Sequence, residues 1–274
     1  MQKILRFMVA RLLAGCLLAF SCGATYAANP ADWWLHIAND RSAQVKSMLD
    51  RGADPNELSS KGQPAIMQAI RDDAWKVYDV LVAHPRTALN AININRETPL
   101  LYLAVLGQTE RAQDLIKRGA QVNRLGWTPL QYAASTGQVE TAKMLLSHQA
   151  IVNAPGPDGT TALMMAAHSG NDAMVQLLLD RGADVTMQNL QKLDAADWAR
   201  EKKYTKLAAQ LDALIQKTLK ERELGGPKPS TTPVPDRKQE KQPEPSRADK
   251  DAINQKPSAS QYFDLERFDE KPQP

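Results

Sequence analysis

A chain of 274 residues has room for one or two domains of ordinary size. Aromatic residues make up only 5%, which argues against a large β sandwich, and the two cysteines, Cys16 and Cys22, are too few for a disulfide scaffold or a cysteine metal cluster. The net charge of +3 is matched by Lys3, Arg6 and Arg11 in an acid-free first stretch, so the remainder is neutral and lacks the positive field that nucleic-acid or anionic-membrane binding draws on.

Residues 1–27 open the chain with those three basic residues. An apolar run over 12–20 follows, then small and polar residues ending in Thr25-Tyr26-Ala27. This is the layout of a secretory signal peptide, with cleavage expected between Ala27 and Ala28 and delivery to the periplasm. The run is too short for a membrane-spanning helix, which takes about 20 residues. A rival reading uses Leu13-Ala14-Gly15-Cys16, which resembles a bacterial lipobox. Acylated Cys16 would then anchor the protein in the envelope.

From residue 30 the chain repeats itself. Gly-Ala-Asp-Pro-Asn at 52–56 returns as Gly-Ala-Gln-Val-Asn at 119–123, Gln-Ala-Ile-Val-Asn at 149–153 and Gly-Ala-Asp-Val-Thr at 182–186. Each copy follows a helical pattern ending in paired apolar residues, such as Leu145-Leu146 and Leu178-Leu179. Thr98-Pro99-Leu100, Thr128-Pro129-Leu130 and Thr161-Ala162-Leu163 mark helix starts, where Thr caps and Pro suits the first turn. Anchors at Ala31, Pro64, Thr98, Thr128, Thr161 and Asp194 are spaced by 33, 34, 30, 33 and 33 residues. Gly107, Gly137 and Gly170 lie nine residues past their anchors, where a chain reversal joins two short helices.

These motifs and this period resemble the ankyrin repeat over roughly residues 30–218. Together with the leader, they resemble small exported ankyrin-repeat proteins of Gram-negative bacteria. The resemblance implies an all-α solenoid of about six helix–turn–helix units joined by short β-hairpin loops. The expected division is a signal peptide at 1–27, a repeat domain at 28–224 and a tail at 225–274. The repeats are placed near 30–60, 61–93, 94–123, 124–156, 157–189 and 190–218. Trp33 and Trp34 suit an N-terminal cap, and the unit from Asp194 to about Lys220 suits a C-terminal one. In the second unit His84-Pro85-Arg86 replaces Gly-Ala, and Asn90 arrives one residue late. The 30-residue step shortens the loop before Thr128 by three residues.

The tail mixes nine prolines with nine basic and nine acidic residues, a composition expected to stay disordered. Its exception is Tyr262-Phe263-Asp264-Leu265-Glu266-Arg267-Phe268, which reads either as a short linear motif that orders on a partner or as a few apolar residues in a tail.

No phosphate loop, nucleophile elbow or His-Glu-x-x-His motif occurs, so neither an enzyme nor a cofactor is expected. The expected function is a non-catalytic protein–protein interaction scaffold. It would be monomeric, with no nucleic-acid partner and no membrane span after leader removal. The resemblance places partners on a concave face made of loop tips and outer first-helix positions. The candidate partner-binding residues are therefore Asn95, Glu97, Leu125, Trp127 and Asp158 on the tips, and Val105, Leu106, Ser135, Thr136 and His168 on the helices. Trp127 has two readings: an interface residue facing solvent beside a notch left by the shortened loop, or local packing folded over that loop.

Overall fold

A computed structural model describes residues 29–225; the leader at 1–27 with its Cys16 and Ala27–Ala28 expectations, and the tail from 226, lie outside the described residues. Twelve helices follow in pairs: α1 (Trp33–Ala38) with α2 (Ser42–Asp50), α3 (Ala65–Arg71) with α4 (Trp75–Ala83), α5 (Pro99–Val105) with α6 (Thr109–Lys117), α7 (Pro129–Ser135) with α8 (Val139–Ser147), α9 (Ala162–Ser169) with α10 (Asp172–Asp180), and α11 (Ala195–Glu201) with α12 (Thr205–Glu223). Each first helix packs on its own partner and on the first helix of the next pair. The result is a one-dimensional stack with one continuous apolar core. Among the described residues the extended structure is reduced to one isolated bridge, Leu58 with Pro64.

The helix starts are chemically marked. Thr128 and Gln131 form a reciprocal capping box, as do Asp194 and Asp197, and Thr161 accepts from the Met164 amide. Thr98 departs from the expectation: its hydroxyl is buried and makes no cap bond. The residue between paired helices has positive φ in all six units: Asp40, Asp73, Gly107, Gly137, Gly170 and Lys203. Only the three middle units need glycine there. A Cβ at Gly107, Gly137 or Gly170 would lie 2.3, 2.5 or 2.5 Å from Gln138, Asn171 or Tyr204 of the next unit. The next repeat packs onto bare backbone.

The recurrence of Asn from unit to unit has a physical cause. Each Asn side chain brackets the backbone of the next unit with two hydrogen bonds. Asn29 does so on Asp54, at 2.8 and 2.7 Å. Asn56 donates to the Arg86 carbonyl and accepts from the Ala88 amide. Asn90 pairs with Gly119 and Gln121, Asn123 with Gln149 and Ile151, and Asn153 with Gly182 and Asp184. Asn90 completes the pattern although it comes one residue late. Thr186 stands at the sixth position, and there Arg222 of α12 takes over, donating to the Thr186 hydroxyl and to Asp184. At the other end Trp33 is fully buried and Trp34 half-buried against the core. α12 buries Leu207, Ala208, Leu211 and Ile215 and packs on α11.

Candidate interaction surface

Between consecutive helix pairs the chain projects five short fingers, at 58–63, 92–97, 123–127, 155–160 and 189–193. Four are closed across their base by a backbone bond: Ser59 to Gln63, Asn93 to Glu97, Gly156 to Thr160 and Asn189 to Leu193. Side chains then lock the turns. The Asn93 Oδ1 accepts from the amides of Asn95 and Glu97, and Asp158 accepts from the Thr160 amide and hydroxyl. The third finger, three residues shorter, has no such closing bond among the described residues.

The fingers run side by side. Ile94 lies over Gly62, where a Cβ would come within 2.4 Å of its methyl. Arg124 donates to the Arg96 carbonyl at 2.6 Å, and the Leu190 amide donates to the Asp158 carbonyl at 2.8 Å. Four fingers present a large apolar side chain to solvent: Leu58 is 54% exposed, Ile94 75%, Leu125 85% and Leu190 76%. Beside them stand Lys61, Arg96, Arg124 and Lys192. Burial, and then the like charge of Arg96, hold the Arg124 guanidinium below the ordinary arginine value. Neither guanidinium has a carboxylate partner among the described residues. The two acids of the fingers are already engaged: Asp158 holds Thr160, and Glu97 is buried.

Several residues expected at the surface lie elsewhere. Trp127 is 9% exposed, not solvent-facing. Its ring meets Tyr132 edge-on at 6.4 Å and lies against Gly156, where a Cβ would come within 2.5 Å of the ring. Shortening the finger therefore leaves no open notch, because the indole fills it. Val105 is buried, with its carbonyl accepting from Thr136 and Gln138 of the next unit. Leu125 and Asn95 are exposed, and Asp158, Leu106, Ser135, Thr136 and His168 are half-buried. His168 packs on Trp198 at 5.3 Å; burial, then Lys202, lower its pKa, with Glu201 opposing.

Glu97 departs furthest from expectation. It is 1% exposed and is the hub of a polar cluster. Asn93 Nδ2 donates to one carboxylate oxygen at 2.8 Å, with the Tyr102 hydroxyl at 3.3 Å, and the Tyr132 hydroxyl donates to the other at 3.1 Å. Asn93 also reaches Gln63 at 3.2 Å, so the network ties the first two fingers to α5 and α7. A carboxylate so enclosed positions loops and has no route to a substrate. The phenol groups at Tyr102 and Tyr132 were the only sequence signal, since a tip residue flanked by tyrosines on the following helices has donors within reach. Among the described residues, no group of three His, Cys, Asp or Glu is arranged to hold a metal ion, and no helix is long and apolar enough to cross a membrane.

Residues 120–189 match the family model described as ankyrin repeats, in three copies. The fold is an ankyrin-repeat solenoid. Relatives carry the same signal over longer stretches. The E3 ubiquitin-protein ligase XBAT33 of Arabidopsis thaliana is 30% identical over 180 residues, covering 66% of this chain and 34% of the relative. Ankyrin repeat and SAM domain-containing protein 6 of Rattus norvegicus is 27% identical over 134 residues, covering 49% and 12%. The Neurogenic locus Notch protein of Drosophila melanogaster is 33% identical over 90 residues, covering 32% and 3%. The chain thus spans about a third of the first relative and far less of the others, and all three are eukaryotic. Ankyrin repeats are protein–protein interaction modules, and an ankyrin array offers its loop tips without disturbing the core beneath them.

Proposed function

We propose that this chain is an exported, non-catalytic scaffold that binds a protein partner in the periplasm through its ankyrin finger tips and the adjoining first-helix surface. The observation that carries the reading is the finger row. Four large apolar side chains stand in solvent on loops that the core does not need, beside four basic groups. Three of them, Leu58, Ile94 and Leu125, stand on consecutive fingers, and neighbouring exposed apolar side chains are the kind of surface that docking uses. Export rests on the leader at 1–27, and the bacterial periplasm is the compartment that its layout supports.

The test has two arms. The mass of the mature N-terminus reads the compartment: Ala28 as first residue supports soluble export, whereas triacylated Cys16 replaces it with a tethered lipoprotein assisting an envelope assembly. A photoreactive residue at Asn95 reads the surface in cells. Cross-links to one protein that vanish in Ile94→Asp/Leu125→Asp support it. Equal cross-linking from Gln176 on α10 would move the site away from the fingers.

A further inference from the structure

We propose that the acidic, aromatic segment at 262–270 of this same chain docks in cis on the middle of the finger row, over Ile94, Arg96, Arg124 and Leu125, and occupies the surface until a partner displaces it. This deepens the binding role assigned to the fingers and rests on that reading.

Charge complementarity comes first. The segment Tyr262-Phe263-Asp264-Leu265-Glu266-Arg267-Phe268-Asp269-Glu270 carries four acids against one base, together with three aromatic rings and a leucine. The middle fingers offer the complement. Arg124 and Arg96 lie side by side, bonded through one carbonyl, with no carboxylate among the described residues to neutralise them. Ile94 and Leu125 stand next to them in solvent. Guanidinium pairs recognise carboxylates through directed, charge-assisted bonds, and flanking apolar side chains accept rings. Elsewhere in the tail, acids and bases are interspersed with proline, and Val234 and Ile253 are the only large apolar residues.

The second argument is where α12 ends. The last turn of α12 is held by Arg222 to Asp184 and Thr186, just before the fifth finger. The C-terminal end of α12 therefore lies beside the segment that leads into the fifth finger. Residues 226–261 form a tether of 36 residues. A random coil of that length would span about 30–35 Å, and the seven prolines of this segment favour a longer reach. Stacked helices are separated by about 10 Å, so the middle fingers, two to three units away, are within reach. A tether matched to the span gives an effective concentration on the order of millimolar, enough for a weak site to be filled in cis.

The experiment uses the mature full-length chain with a photoreactive phenylalanine at Asn95, and cross-linked peptides are mapped by mass spectrometry. Mixing isotopically light and heavy chains separates cis from trans. The expected result is a cross-link from position 95 to residues 262–270 within one chain. Its yield should fall roughly tenfold in Arg96→Glu/Arg124→Glu. The same loss in Asp264→Lys/Glu266→Lys keeps the test valid should the finger variant perturb folding, since those positions lie outside the array. Light–heavy cross-links would overturn the proposal in favour of a second copy. A yield indifferent to both charge reversals, or no cross-link to the tail, would also overturn it. If position 95 captures a protein in cells but never the tail, only the cis occupant fails. If it captures neither, the binding role of the fingers fails with it.

Discussion

Gly156→Ala tests whether the Trp127 ring fills the space of the shortened finger. Gly156 has no positive φ to protect, so an added methyl is resisted by side-chain space alone. The new Cβ would sit 2.5, 2.9 and 3.0 Å from three atoms of the indole, well inside contact distance. Overpacking of this kind costs about 1–3 kcal/mol. Trp127→Ala removes a ring burying roughly 200 Å² and costs about 3–5 kcal/mol. With the ring gone, the three closest contacts of the methyl are removed, and alanine restricts the unfolded chain more than glycine does. Gly156→Ala should then be neutral or stabilising by about 0.5 kcal/mol. Urea unfolding of the four chains, followed by circular dichroism, should give a double variant that beats the sum of the singles by about 2 kcal/mol. Additivity within about 0.5 kcal/mol would show that the ring does not lie on residue 156. A cost below about 1 kcal/mol for Trp127→Ala would return the indole to the surface as a binding residue.

Four further outcomes are expected. Asn123→Ala should lower stability by about 1–2 kcal/mol, because it removes both bonds to the Gln149 carbonyl and Ile151 amide; an unchanged melting midpoint would deny the Asn brackets a role in coupling repeats. Glu97→Ala should cost about 3 kcal/mol or more by stranding buried donors, and Glu97→Gln distinctly less; equal losses would show that volume, not bonding, holds the cluster. Leu125→Asp should leave helicity and midpoint unaltered, since the side chain is 85% exposed, and a clear drop in either would place it in the core. The last concerns pH. Burial alone would raise the Asp184 pKa, but bonds from Thr186 and Arg222 outweigh it and the net shift is downward. A carboxylate depressed in the folded state adds stability that is present above its unfolded value and lost as pH falls through the folded one. Arg222→Ala should therefore flatten the acid limb of the stability profile below about pH 4, and a parallel offset at all pH values would refute the assignment.

The helices were legible because their signals are local. Thr-Pro at a helix start, an apolar pair one turn before Gly-Ala, and a period near 33 each reflect constraints within one repeat or its nearest neighbour. The glycines were legible for only half their reason. Positive φ is met as well by Asp40, Asp73 and Lys203, so the turn alone does not demand glycine. What demands it at Gly107, Gly137 and Gly170 is a side chain about 33 residues away, pressed onto the turn from the next unit. The second unit looked defective without Gly-Ala, yet Thr87 donates to the Leu81 carbonyl and Arg86 to the Ala53 carbonyl, and the bracket through Asn90 still forms.

The surface was harder to read, because the rule that tip residues face solvent assumes a loop of standard length. A finger's own backbone normally fills the space beside its neighbour. When three residues are lost before Thr128, that filling is lost too, and the remaining chain must supply volume or leave a void. Trp127 supplies it, and Gly156 opposite makes room. The same logic places Glu97 inside: Tyr102 and Tyr132 aim hydroxyls into the base of the second finger, and the carboxylate satisfies both. Residues released from packing are those beyond these plugs. Leu125, two positions before Trp127, and Ile94, three before Glu97, are exposed because the adjacent buried side chain has already closed the gap. Large apolar residues that stay exposed there are not required by these plugs, and that makes them, rather than the tryptophan, the surface proposed above for contact with other chains.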